Sequence, residues 1–191
     1  MIYSPLIQKA IDLAIQVHQP KTRKGKVTPY ITHPMTVALI LARVTQDENI
    51  ITAGVLHDTM EDCEPYGSVT KLSLTKTYNK EVARMVNDVT ETDKTLPWME
   101  RKMAALAHIK DMDHDSLLVK SADVLHNLTD LNQDLEKDGV IVWKRFNASK
   151  QDTITRYEKL IPEIERVWTD NPLLKDLLSA HTRFHQLISN P

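Results

Sequence analysis

The 191-residue chain has one cysteine and only four glycines. The single cysteine, Cys63, cannot form an intrachain disulfide, and it excludes a zinc site built from several cysteines. A chain with so little cysteine suits a reducing compartment. Four glycines are too few for a glycine-rich phosphate loop or for a β-sandwich with many tight turns, whereas helices need few. These absences favour a helical protein of the cytoplasm.

The chain also lacks a charge excess and a long apolar run. Its 24 basic residues nearly balance its 26 acidic residues. A general nucleic-acid binder usually carries a clear basic excess, so we expect no nucleic-acid partner. A small anionic ligand is compatible with this balance, because a local cluster of a few cations is enough to bind it. No apolar run approaches the roughly 20 residues that span a bilayer, and the first residues contain no signal-peptide core. We therefore expect a soluble cytoplasmic protein with no membrane partner.

Apolar residues recur at helical spacing, and no alternating strand pattern stands out. Ser4 and Pro5 predict an N-cap and the first position of a helix. Asp47 caps a helix predicted over about residues 50–62, and another is predicted over about 115–135. Pro162 is expected to kink or restart a helix over 154–168. Residues 63–77 are interpreted as a loop with a short helix. The fold class is therefore all-α.

One predicted helix end is unusually acidic. Residues 57–62 read His-Asp-Thr-Met-Glu-Asp. In a continuous helix at about 100° per residue, His57, Asp58, Glu61 and Asp62 share an arc of about 140°. Neighbouring carboxylates repel each other, and negative charge near a helix C-terminus opposes the macrodipole. A divalent cation would offset both effects. A solvated acidic helix end is the simpler explanation of this segment taken alone.

Three further features favour a metal site. His33 stands at the predicted start of a helix, and Arg23 and Lys24 precede it in a loop. Asp123 lies inside an otherwise apolar helix, and Asn127 follows it on the same face. Two histidine nitrogens and two aspartate oxygens would form a mixed site. Such a site suits Mn²⁺, with Fe, Co or Zn as alternatives, better than Mg²⁺ with purely oxygen ligands.

The polar motifs occur in a fixed order over roughly residues 5–160. They are residues 23–24 (RK), 28–34 (TPYITHP), 56–62 (LHDTMED), 89–97 (VTETDKTLP), 100–102 (ERK) and 119–132 (VKSADVLHNLTDLN). The ordered set resembles the HD superfamily, and within it the stand-alone small alarmone hydrolases related to the hydrolase half of Rel/SpoT proteins. The His-Asp doublet alone would be a weak signal, but the ordered set is specific.

The resemblance implies an HD-domain helical bundle with a metal site between helices. We place the HD domain at residues 1–160, and a helical extension packed on it at 161–191. The implied reaction is Mn²⁺-dependent removal of the 3′-diphosphate from guanosine tetra- or pentaphosphate, with release of pyrophosphate. The implied metal ligands are His33, His57, Asp58 and Asp123. The implied water-handling pair is Glu61 and Asp62, and the implied nucleotide contacts are Arg23, Lys24 and Asn127.

Several positions depart from the family pattern. Trp98 stands where close relatives can carry a ligand-contacting lysine, and Val124 and Thr129 replace basic residues. Trp98 is interpreted either as a stacking contact for the substrate or as a core anchor. Because three cationic contacts are missing, these departures affect the identity of the substrate more than the metal chemistry. His18 and most other histidines are interpreted as surface or core residues.

Two other hypotheses remain open. In the first, the same metal site acts on another nucleotide, such as an adenosine alarmone, NADPH or a nucleoside monophosphate. In the second, the protein is a nucleotide sensor without turnover, although Glu61 and Asp62 argue against that. The apolar stripes of the last two predicted helices serve either the core or a subunit contact, which would make the protein a homo-oligomer.

Overall fold

The computed structural model describes residues 4–19, 21–63, 69–91 and 95–189. The all-α prediction is confirmed. The helices are α1 Pro5–His18, α2 Thr32–Val44, α3 Glu48–Leu56, α4 Thr59–Asp62, α5 Lys71–Thr77, α6 Lys80–Val89, α7 Trp98–His108, α8 His114–Asp138, α9 Lys150–Val167 and α10 Leu174–Ser189. Short 3₁₀ helices cover Ile109–Asp111 and Gly139–Arg145. Within the described ranges, β pairing is limited to one isolated bridge between Thr22 and Pro29.

Side-chain caps explain several helix starts. The Ser4 hydroxyl accepts a hydrogen bond from the Ile7 amide at the start of α1, and Pro5 follows it at the first helical position. The Asp47 carboxylate accepts from the Asn49 amide at the start of α3. Both starts were predicted from sequence, because these side chains satisfy amides that have no partner in the first turn.

The predicted continuous helix over 50–62 is wrong. Helix α3 ends at Leu56, His57 and Asp58 form a turn, and α4 begins at Thr59. Side chains supply the reason, because they occupy carbonyls that a continuing helix would use. The His57 ring lies 2.8 Å from the Gly54 carbonyl oxygen, and the Thr59 hydroxyl donates to the Leu56 carbonyl at 2.7 Å. The arc argument for the acidic end therefore does not hold as stated.

Two other expectations are resolved in the helices. Helix α9 runs through Pro162 without restarting, and Ile161 and Ile164 are buried on either side of the proline. The expected short helix after Asp62 is α5, while residues 64–68 of that loop lie outside the described residues. Residues 92–94, which belong to one of the family motifs, also lie outside them. No helix in the part of the chain that the structure describes has the length and apolar character needed to cross a membrane.

Contacts divide the chain into two compact units. The first comprises Met1–Thr90 and Met112–Asp123, and the second comprises Glu91–Asp111 and Val124–Pro191. In the first unit, α3 packs against α1, α2 and α6, and all its residues from Ile50 to Leu56 are buried. In the second unit, α9 packs against α7 and α10. The central helix α3 therefore organises the unit that contains the predicted metal ligands.

Gly54 lies where α3 meets α2. A Cβ atom at this position would collide with Cδ1 of Leu41 and would lie 3.5 Å from Cγ1 of Val37. The missing side chain therefore lets the two helices approach closely. Helix α2 carries His33, and α3 ends at Leu56 directly before His57, so the packing of these two helices affects the spacing of the two histidines.

Candidate metal centre

Two buried histidines from different segments of the chain face each other through their Nε2 atoms. His33 lies in the first turn of α2, His57 follows α3, and their side chains are 1% and 3% exposed. Their Nε2 atoms lie 3.1 Å apart. Two nitrogens bound to one ion at about 2.0–2.1 Å lie roughly 2.9–3.4 Å apart for bond angles of about 90–110°. The separation therefore suits a shared metal ion.

Two carboxylates complete the cluster. Oδ2 of Asp58 lies 3.1 Å from Nε2 of His57 and 3.5 Å from Nε2 of His33. Oδ1 of Asp123 lies 3.3 Å from Nε2 of His33 and 3.8 Å from Nε2 of His57. The ligand atoms of His33, His57 and Asp58 all lie within 4.8 Å of one another. The structure thus brings together all four residues that the sequence analysis selected as metal ligands.

The charges of the cluster favour a cation. Burial raises the pKa of the Asp58 and Asp123 carboxyls, but the nearby histidines and, for Asp123, Lys120 outweigh burial and lower both values. Burial lowers the pKa of His57, yet the charge and hydrogen bond of Asp58 outweigh it and raise that pKa to about 9. The pKa of His33 is lowered, chiefly by burial. Both carboxylates are therefore anionic near neutral pH, and a metal ion would take the place of the proton on His57.

Neighbouring groups orient three of the four predicted ligands. The Gly54 carbonyl keeps a hydrogen on Nδ1 of His57, so Nε2 is the ring atom that faces the cluster and could bind a metal in place of its proton. The Tyr30 hydroxyl donates to Oδ2 of Asp58 at 2.6 Å. The Lys120 ammonium donates to Oδ2 of Asp123 at 3.1 Å, so Oδ1 is the oxygen that faces the histidines. Sequence reasoning did not assign these roles.

The two residues expected to handle water lie on the short helix α4. Glu61 is half-buried. Asp62 is held by Lys21, whose ammonium lies 3.0 Å from Oδ1 and donates to the Asp62 main-chain carbonyl at 2.8 Å. Nδ1 of His18 lies 3.4 Å from Oδ2 of Asp62. Burial raises the pKa of Asp62, but its contacts with His18 and Lys21 outweigh burial and lower that pKa.

His18 and Lys21 were not predicted as part of the site. The core interpretation of His18 agrees with its burial, but its contact with Asp62 was missed. The sequence did contain a hint of this role, because His18 and Lys21 lie within five residues of the Arg23-Lys24 motif. The pairing with Asp62 spans more than forty positions along the chain, and helix periodicity does not report contacts of that range.

The predicted phosphate contacts Arg23 and Lys24 lie in a small loop. The bridge between Thr22 and Pro29 closes this loop, and Gly25 adopts a φ of 71° within it. The Arg23 guanidinium lies 5.7 Å from the centre of the Tyr30 ring. Tyr30 in turn contacts Asp58, so one aromatic side chain separates Arg23 from a predicted metal ligand. Lys24 is exposed in the same loop.

The other two predicted substrate contacts belong to the second unit. Asn127 is half-buried and lies four residues after Asp123 along α8. Trp98 is the first residue of α7 and is half-buried, with the Lys102 ammonium 5.7 Å from its ring centre. Lys102 and Arg101 both donate to the Glu91 carboxylate. The substrate-binding roles of Asn127 and Trp98 stay predictions.

Sequence comparisons agree with this geometry. The HD domain family matches residues 10–154. The guanosine-3′,5′-bis(diphosphate) 3′-pyrophosphohydrolase MESH1 of Danio rerio is 37% identical over 131 residues, covering 67% of this chain and 70% of the relative. The human MESH1 is 40% identical over 129 residues, covering 65% and 69%. A 3′-pyrophosphohydrolase of the same name from Vibrio cholerae is 34% identical, but the match covers only 18% of that protein.

Solved structures share the fold. A metazoan orthologue of SpoT, described as hydrolysing ppGpp, superposes with a TM-score of 0.73 over 99% of this chain and 97% of its own, at 23% identity. A protein from Listeria monocytogenes superposes with a TM-score of 0.72 over 83% of this chain and 99% of its own, at 27% identity. Together with the sequence matches, these findings confirm the expected resemblance: the chain belongs to the HD domain family and, within it, to the MESH1 group of hydrolases.

Proposed function

We propose that this protein is a Mn²⁺-dependent hydrolase that removes the 3′-diphosphate from guanosine tetra- or pentaphosphate and releases pyrophosphate. One observation carries the proposal: the ligand atoms of His33, His57 and Asp58 converge within 4.8 Å, in a chain whose relatives are named for this reaction. The nucleotide is then the partner, and the metal is the cofactor.

The donor set supports a divalent transition metal. His33, His57, Asp58 and Asp123 would supply two imidazole nitrogens and two carboxylate oxygens, a mixture that suits Mn²⁺ better than Mg²⁺. When bound, the metal lowers the pKa of a coordinated water and polarises a phosphoryl oxygen. The chain contributes orientation of the ligands through Gly54, Tyr30 and Lys120, whose contacts keep the lone pairs directed at one point.

Glu61 and Asp62 would manage the proton of the attacking water. In the reaction, the water oxygen adds to the phosphorus nearest the ribose, the bond from that phosphorus to the 3′ oxygen breaks, and the 3′ oxygen takes up a proton. Asp62 is suited to stay anionic, because His18 and Lys21 lower its pKa. Glu61 lies beside it on α4 and would act as the general base and acid.

Arg23, Lys24, Asn127 and Trp98 would bind the nucleotide. Arg23 and Lys24 would supply positive charge to the phosphate oxygens, because Arg23 lies against the Tyr30 ring that contacts Asp58, and arginine can hold two oxygens at once. Trp98 would stack on the distal part of the substrate, where close relatives can carry a lysine. Stacking of this kind is worth about 1–3 kcal/mol per base.

A nucleotide panel with Mn²⁺ tests the proposal. It contains guanosine and adenosine nucleotides with 3′-diphosphates, NADPH and a nucleoside monophosphate, and pyrophosphate and orthophosphate are measured separately. We expect pyrophosphate from the guanosine 3′-diphosphates, and ¹⁸O from labelled water in the pyrophosphate rather than in the nucleoside. The His57→Ala variant gives the background rate.

Each alternative has its own outcome in the same panel. Faster turnover of the adenosine 3′-diphosphate would reassign the base. Orthophosphate release from NADPH or a monophosphate, without action on 3′-diphosphates, would replace the alarmone substrate and leave a general HD phosphohydrolase. Tight nucleotide binding without any product would favour the sensor hypothesis.

A further inference from the structure

A second pair of histidines faces each other on α10. His181 and His185 are four residues apart, so their side chains leave the same face of the helix. Their Nε2 atoms lie 3.1 Å apart, and their ring centres lie 4.5 Å apart. Both side chains are half-buried. This Nε2 separation equals that of the two histidines in the candidate metal centre.

The helix holds this pair in place. Phe184, the residue before His185, is fully buried, and its ring centre lies 5.6 Å from that of Tyr157 on α9. The anchored phenylalanine fixes the rotation of α10 about its own axis, and with it the face that carries both imidazoles. A ligand pair with a fixed orientation loses little conformational entropy when an ion binds.

We propose that His181 and His185 form a second metal site, which takes a late first-row divalent cation such as Ni²⁺, Cu²⁺ or Zn²⁺. Two nitrogens bound at about 2.0–2.1 Å require a separation of roughly 2.9–3.4 Å, which the observed 3.1 Å meets. Imidazole ligands prefer these ions to Mn²⁺. Among the described residues, a group of three or more potential ligands occurs only at His33, His57 and Asp58, so water would fill the other positions of this second ion.

Metal stoichiometry tests the proposal. Chelator-stripped protein is titrated with Ni²⁺ by calorimetry near pH 7.5, as the wild type and as the His185→Gln, His57→Ala and doubly substituted variants. We expect two bound ions in the wild type, one in each single variant and none in the double variant. His185→Gln should keep its activity with Mn²⁺. The matched control is His108→Gln, because His108 is an exposed histidine of the same unit, and it should keep both ions.

The outcomes separate the two metal sites. The proposal is overturned if the wild type binds one ion that only His57→Ala removes, or if His185→Gln still binds two. If His57→Ala binds two ions and His185→Gln loses one, the second site stands and the candidate catalytic centre fails. His181→Gln repeats the measurement, and helical circular dichroism confirms that each variant is folded.

Discussion

The carbonyl oxygen of Gly54 lies 2.8 Å from Nδ1 of His57, one turn further along the chain. A carbonyl can only accept a hydrogen bond, so Nδ1 carries a hydrogen and Nε2 is the nitrogen that could bind a metal in place of its proton. The same glycine lets α2 and α3 approach, because a Cβ atom there would collide with Leu41. One residue thus affects both the tautomer of a ligand and the spacing of two helices.

The first prediction concerns this glycine. Gly54→Ala should lower the free energy of unfolding by about 1–3 kcal/mol through overpacking, and it should weaken Mn²⁺ binding because the displaced Leu41 side chain disturbs the packing of α2 on α3. Leu41→Val removes Cδ1, the atom in the collision, so the double variant should be more stable than the sum of the single effects predicts. Urea denaturation and Mn²⁺ titration measure both quantities. Strictly additive effects would mean that the collision is not the cause.

The second prediction concerns the metal ligands. Asp58→Asn should abolish metal-supported turnover rather than merely raise KM, because an amide is a much poorer ligand than a carboxylate. The control is Asp152→Asn on α9, a half-buried aspartate of the second unit. Steady-state kinetics with added Mn²⁺, together with elemental analysis, checks both variants. Retained metal and turnover in Asp58→Asn would remove Asp58 from the ligand set.

The third prediction separates chemistry from folding at Glu61. Glu61→Gln should lower kcat by roughly 10²–10⁴, the usual range for a lost acid–base group, with metal affinity and melting temperature nearly unchanged. Glu81→Gln on α6 is the control, since Glu81 is an exposed glutamate. Wild-type turnover in Glu61→Gln would exclude Glu61 from the mechanism and leave Asp62 as the candidate.

The fourth prediction concerns pH. Lys21 helps to lower the pKa of Asp62, so Lys21→Met should raise that pKa and shift any acidic limb due to Asp62 in the kcat/KM profile to higher pH. A lowered carboxyl pKa contributes stability above its unfolded value of about 3.9, and this contribution is lost as the pH falls through the folded value. Acid unfolding of Lys21→Met should therefore begin at higher pH than in the wild type. The control is Lys9→Met, because the Lys9 ammonium donates to the main-chain carbonyl of Thr77.

The fifth prediction tests Trp98 against Trp143. Both tryptophans are half-buried, and a lysine ammonium lies over each ring. The distance to the ring centre is 5.7 Å from Lys102 to Trp98 and 6.0 Å from Lys150 to Trp143. Trp98→Ala should raise KM several-fold. It should lower the free energy of unfolding by less than the loss of a core tryptophan, which is about 3–5 kcal/mol. Trp143→Ala should leave KM unchanged. Equal KM values in the two variants would argue against stacking by Trp98.

The sequence predicted the helices well, because capping residues and apolar spacing are local signals. It also selected four ligands that the fold brings together, since each stands out against its own neighbours in the chain. It missed the turn at His57 and Asp58, where side chains instead of backbone amides bind the helix carbonyls. It also missed the contacts of Lys21 and Tyr30. These features depend on how distant segments pack, which a local pattern does not report. The domain boundary at 160 and the substrate contacts stay predictions.

The position of Asp123 on α8 has a consequence for biosynthesis. At translation rates of roughly 5–20 residues per second, Asp123 leaves the ribosome several seconds after Asp58. The start of α8 attaches to α6 through Arg84 with Asp113 and through Ser116 with Asp88. The fourth ligand therefore arrives only when this late helix docks, and a nascent or truncated chain holds an incomplete set of ligands. Metal binding by all four predicted ligands would then have to wait until this helix has formed and docked.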